Sequence, residues 1–99
     1  MAAIAKASSV APGEMAAFDV DGTRVAVANV NGTFYAFGDT CTHLQCSLAK
    51  GHLEGTTVTC SCHGSQFDVV TGSVLRPPAR EPVKSYRLAV EGENIKIES

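Results

Sequence analysis

Two short segments hold most of the side chains in this sequence that can do chemistry. The first is Cys41-Thr42-His43-Leu44-Gln45-Cys46 and the second is Cys60-Ser61-Cys62-His63-Gly64-Ser65. Together they contain every cysteine of the chain and two of its three histidines. Each offers a thiolate and an imidazole within two or three positions, on what should be tight loops between strands. Brought face to face, two such loops present two sulfur and two nitrogen donors. In a reducing compartment, clustering of this kind argues for metal more than for a disulfide framework. Zinc takes the same four ligands, but zinc modules usually keep like ligands together, a Cys pair followed by a His pair. Here each loop mixes them. A mixed pair per loop suits two irons, with both thiolates on the inner ion and both imidazoles on the outer one. Other polar residues fit no catalytic scheme. Asp19, Asp21 and Asp39 lack a partner carboxylate pattern for acid–base work. His52, between Gly51 and Leu53, reads as a surface residue near the site, and Lys50 and Glu54 as solvated charges.

The order Cys-x-His, then residues 44–59, then Cys-x-x-His resembles the Rieske family. The likeness continues in Gly64-Ser65-x-Phe67-Asp68, Thr71-Gly72 and Pro77-Pro78, and runs over roughly residues 33–98. It implies one [2Fe–2S] cluster held by Cys41, His43, Cys60 and His63. It also implies an all-β fold, an antiparallel β-sandwich whose small cluster-binding subdomain takes in about residues 39–80. Two ferric ions, two sulfides and two thiolates sum to zero charge, whereas an all-cysteine cluster is twice negative. A neutral centre accepts an electron more readily, which raises the potential.

The resemblance extends to the surroundings of the cluster. Cys46 and Cys62 occupy the places of a cysteine pair in the quinol-oxidising Rieske proteins of cytochrome complexes, where a disulfide ties the two loops together. Buried free thiols are the other reading of this pair. Ser65 stands where that group uses a serine hydroxyl against a bridging sulfide; a turn serine is the plainer alternative. Phe67 stands where the same group has a tyrosine whose hydroxyl reaches a ligand sulfur. Hydrogen bonds of this kind tune a metal centre, so the chain carries only part of the high-potential set. Pro77 and Pro78 are expected to shield the cluster from water.

The elements that must position these loops read as short strands. Ile4–Val10 is a first strand, followed by a turn at Pro12-Gly13-Glu14. Ala16–Val20 and Thr23–Asn29 flank Asp21-Gly22, and Asn31-Gly32 repeats the hairpin signal before Thr33–Phe37. Val25, Val27, Phe34 and Phe37 supply core. Beyond the first loop, Thr56–Cys60 and Gln66–Val70 have strand character, and Thr71-Gly72 turns. Pro77-Pro78 cannot continue a central strand. Lys84–Val90 and Asn94–Glu98 bracket Glu91-Gly92-Glu93 as a last hairpin. No long amphipathic helix and no repeat interrupts this all-β pattern.

Composition narrows the function. The 99 residues suit one domain, 1–99. A net charge of −2 without a basic run disfavours nucleic acid and anionic membrane. No apolar stretch approaches the roughly 20 residues of a membrane-spanning helix. Met1-Ala2-Ala3-Ile4-Ala5-Lys6 lacks the pattern of a signal peptide, so a soluble, cytoplasmic chain is expected. Without a Gly-rich nucleotide motif or a second metal site, the chain is not expected to take hydride or activate oxygen. The resemblance implies a one-electron carrier, not an enzyme. Its partners would be a flavin-dependent reductase and a terminal oxygenase, docking transiently at the His43/His63 tip. Two other readings compete. The small subunit of a nitrite reductase is opposed by the presence of all four ligands. A soluble Rieske fragment of a quinol-oxidising complex, or of an arsenite oxidase, is favoured by Cys46, Cys62 and Ser65 and opposed by Phe67.

Overall fold

The computed structural model describes residues 3–20, 22–40, 46–62, 64–77 and 81–98. Ten strands build it: β1 (Ala3–Lys6), β2 (Met15–Val20), β3 (Thr23–Val30), β4 (Thr33–Gly38), β5 (His52–Glu54), β6 (Thr57–Thr59), β7 (Gln66–Asp68), β8 (Val74–Arg76), β9 (Ser85–Glu91) and β10 (Asn94–Glu98). Two single 3₁₀ turns, Ala7–Ser9 and Leu48–Lys50, are the other regular elements among the described residues. The strands form two antiparallel sheets, ordered β1-β10-β9-β4-β3-β2 and β5-β6-β7-β8.

The hairpin signals place the large sheet. Asn31 and Gly32 both take positive φ, 52° and 93°, and join β3 to β4 with Val30 opposite Thr33. That is the turn whose twist matches paired strands. Asn29 locks it further. Its Oδ1 accepts the Gly32 amide at 2.7 Å, while its Nδ2 donates to the Val10 carbonyl at 2.8 Å.

Period-two alternation then sorts the side chains. Val25 and Val27 of β3, Ala36 of β4, and Ile95 and Ile97 of β10 share one core with Val10. Phe18, Phe34, Tyr86 and Leu88 pack against it from β2, β4 and β9. The opposite face of the same strands, with Ala26, Ala28 and Phe37, joins Val58, Phe67, Val69, Val83, Leu48 and Cys60 in a second core. The large sheet is therefore buried on both faces at β3, and the second core fastens the small sheet to it. Phe34 and Phe37, both expected in the core, lie on opposite faces of β4.

Several boundaries differ from expectation. The first strand stops at Lys6 rather than Val10, because Ser9 Oγ donates to the Lys6 carbonyl at 2.6 Å and the chain turns. Such local side-chain bonds compete with ladder pairing. The strand expected over Gln66–Val70 ends at Asp68, whose Oδ1 accepts the Val70 amide at 2.8 Å. β5 and β8 were not expected. Asp21 lies outside the described residues.

Candidate metal centre

Two connections meet at the small sheet. The second of them leaves β6 and returns as β7, and its ends are held by the Thr59–Gln66 pair. Within it the Cys60 amide donates to the Ser65 carbonyl at 2.8 Å, and the Gly64 amide donates to the Cys60 carbonyl at 3.1 Å. These bonds tuck Cys60 inward, to 2% exposure, beside Val58, Phe67 and Leu48. Ser65 is wholly buried, whereas Cys62 faces outward.

The first connection runs from Thr40 to Ser47, which form an antiparallel bridge at its base. Its described end carries Cys46, which is joined to Cys62 by a disulfide with the two Cα atoms 6.6 Å apart. That bond crosses from one connection to the other. The sulfurs of Cys46, Cys60 and Cys62 lie within 4.8 Å of one another. Because Cys46 and Cys62 are bonded to each other, the sulfur the described residues leave for a metal is the buried thiol of Cys60.

Cys41, His43, His63 and Pro78 lie outside the described residues. Pro77 follows β8 and is exposed. Phe67 is fully buried in the same core as Cys60, with β7 pairing it to Val58. His52 is exposed at the start of β5, with Nε2 3.8 Å from a Glu54 carboxylate oxygen. The donor chemistry fits an iron–sulfur group at Cys60: a thiol without a disulfide partner, in an apolar wall, on one of two connections tied side by side.

Two residues of structural weight carried no signal in the sequence. A Cβ on Gly51 would run into the Thr59 carbonyl oxygen. Only glycine lets the chain after Leu48–Lys50 lie against β6 there, one residue before Cys60. The other is Asp39, a buried carboxylate at the end of β4. Its Oδ2 accepts the Ser47 hydroxyl at 2.7 Å, and its Oδ1 accepts the Ala49 amide at 2.9 Å. Its carbonyl accepts the Leu48 amide at 2.6 Å.

Comparison with known proteins agrees with this geometry. The family profile of the Rieske [2Fe-2S] domain matches residues 1–87. Over 90 residues the chain is 42% identical to the biphenyl dioxygenase ferredoxin subunit of Pseudomonas sp. (strain KKS102), covering 90% of this chain and 83% of that one. The ferredoxin of carbazole 1,9a-dioxygenase from Nocardioides aromaticivorans IC177 superposes with a TM-score of 0.93 at 32% identity, covering 97% of this chain and 94% of that one. A chain of the complex of reduced oxygenase and oxidised ferredoxin in carbazole 1,9a-dioxygenase gives 0.90 at 32% identity, covering 97% and 90%.

Proposed function

Since the chain belongs to the Rieske [2Fe-2S] domain family, we propose that it is the ferredoxin component of a multicomponent oxygenase, taking one electron at a time from a flavin-dependent reductase and passing it to a terminal oxygenase. The observation that carries this reading is the 42% identity to a dioxygenase ferredoxin subunit over most of both chains. As a member of its family the chain carries one [2Fe–2S] cluster, which supplies a site that gains and loses a single electron. Cys41 and Cys60 would hold its inner iron, and His43 and His63 its outer one, within a cluster-binding subdomain of about residues 39–80. Val58, Phe67 and Leu48 around Cys60 keep water from that thiolate. Ser65 would direct its hydroxyl toward sulfur, Pro77 and Pro78 would cover the site, and the His43/His63 tip would be where partners dock. No helix among the described residues is long and apolar enough to cross a membrane, and a cytoplasmic place accords with the proposed partners.

The disulfide favours a second reading, a Rieske component of a quinol-oxidising complex. Stopped-flow mixing separates the two. The reduced protein should lose one electron per chain to the oxidised terminal oxygenase of an aromatic-ring dioxygenase. Transfer to a quinol-linked cytochrome, with none to the oxygenase, would favour the second reading.

A further inference from the structure

Asp39 is a buried carboxylate whose two oxygens each accept a hydrogen bond. It is 2% exposed. A carboxylate pays heavily for burial unless it is hydrogen-bonded or paired, and here both conditions are met. Beyond its bonds to Ser47, Leu48 and Ala49, its amide donates to the Arg24 carbonyl at 3.2 Å, and Arg24 Nε stands 3.7 Å from Oδ2. Arg24 is itself half exposed. One residue therefore links the end of β4 to Ser47 of the Thr40–Ser47 bridge and to the two residues that follow it. The enclosed segment carries Cys41, His43 and Cys46. Through Cys46 it is tied to Cys62 on the other connection.

We propose that Asp39 is the positioning residue of the first ligand segment, its two carboxylate oxygens clamping Ser47 and Ala49 and so fixing the base of the segment that carries Cys41 and His43. This rests on the reading above, in which Cys41 and His43 are ligands. Asp39 does not touch the metal; it acts by closing the base of the segment that supplies half of the ligands. The clamp is a matter of hydrogen-bond geometry. An asparagine retains it, with Oδ1 still accepting the Ala49 amide and Nδ2 donating to Ser47 Oγ. An alanine loses both bonds.

The test compares wild type, Asp39→Asn, Asp39→Ala and Ser47→Ala as purified holoproteins, with Ile95→Ala as a control that weakens the large sheet elsewhere. Three properties are read: the rate of iron loss to a chelator, the EPR spectrum of the reduced protein, and deuterium exchange over residues 46–50. Asp39→Ala should lose iron about tenfold faster or more, the scale expected for losing two ordinary hydrogen bonds, with an altered EPR spectrum and faster exchange. Asp39→Asn should restore all three, and Ser47→Ala should fall between. A wild-type EPR spectrum in Asp39→Ala, with iron loss no faster than in Ile95→Ala, would overturn the clamp. So would an Asp39→Asn protein as impaired as Asp39→Ala, because charge rather than geometry would then matter. Should Asp39→Ala fail to fold, wild-type behaviour of Ser47→Ala overturns the clamp and faster iron loss upholds it. If wild type itself held no iron–sulfur cluster, the functional reading would fall alone. Exchange over 46–50 in Asp39→Ala would still decide the clamp, faster supporting it and unchanged refuting it.

Discussion

The large sheet and the small sheet are held together by different means. In the large sheet β2, β3, β4 and β9 have six to eight residues. β3 pairs through residues 23–28 with β2 and through residues 25–30 with β4, and branched side chains fill the core beneath. In the small sheet every strand has three residues. Three-residue strands form few ladder bonds, so side chains complete the job: the Asp39 contacts, the Cys46–Cys62 bond, the close approach at Gly51 and the apolar wall around Cys60. Regions with short pairing and exposed backbone belong to the low-stability end of a fold. By that criterion the large sheet is the more stable region, and the small one depends on the side-chain ties around Cys60.

The sharpest separation comes from one substitution in each region. Ile95 is fully buried in the large sheet's core. Ile95→Ala should cost about 2–5 kcal/mol, measured by urea unfolding, while the folded fraction keeps its visible spectrum. Cys60→Ser should do the reverse, abolishing iron binding while β3 and β4 keep their protection from hydrogen exchange. If Ile95→Ala altered the spectrum as deeply as Cys60→Ser, the two regions would not be separable.

The disulfide comes next in size. It joins residues 16 apart, and the chain-entropy account gives about 3 kcal/mol for a loop of that order. A Cys46→Ala/Cys62→Ala double variant should still assemble its cluster but lose iron faster, with the large sheet unaffected. Mass spectrometry finding both thiols free in the native protein would remove the tie altogether.

The contrast between the regions also governs how much was legible in the sequence. Asn31-Gly32 and the alternation through Val25 and Val27 belong to long strands and carry their own period, although Phe34 and Phe37 fall on opposite faces. β5 and β8 are too short to show one. The end of the first strand depends on a single Ser9 hydroxyl, and the register of Asn29 on a distant carbonyl at Val10. Around the site, the Cys and His spacing is a local pattern and stands out. Asp39 does not, because its partners are a serine hydroxyl and backbone amides 8–10 residues away, which no residue type marks in advance.

Two smaller effects are expected, one beside Cys60 and one in the large sheet. If the buried Ser65 hydroxyl is directed at a cluster sulfur, it favours the reduced state, which carries the extra negative charge. Ser65→Ala should lower the midpoint potential by some tens of millivolts, since a modest hydrogen bond is worth about 1 kcal/mol and 59 mV is tenfold in a one-electron equilibrium. Protein-film voltammetry reads this directly, and an unchanged midpoint would leave Ser65 a turn residue. The smallest effect lies in the large sheet. Lys96 Nζ donates to a Glu91 carboxylate oxygen at 2.7 Å and holds that carboxyl below its usual value of 4.5. A lowered value contributes stability above the usual carboxylate range and loses it as the pH falls through the folded value. Lys96→Met should therefore differ slightly from wild type at pH 7 and converge with it in acid, in parallel urea titrations.

In the proposed centre Cys41, His43, Cys60 and His63 hold a two-iron cluster. Metal and sulfide analysis of the purified protein, with EPR of its reduced form, tests it most directly. About two irons and two acid-labile sulfides per chain, with a one-electron EPR signal that is lost in both His43→Ala and His63→Ala, is the predicted result. A colourless protein with one zinc per chain and no labile sulfide would contradict it.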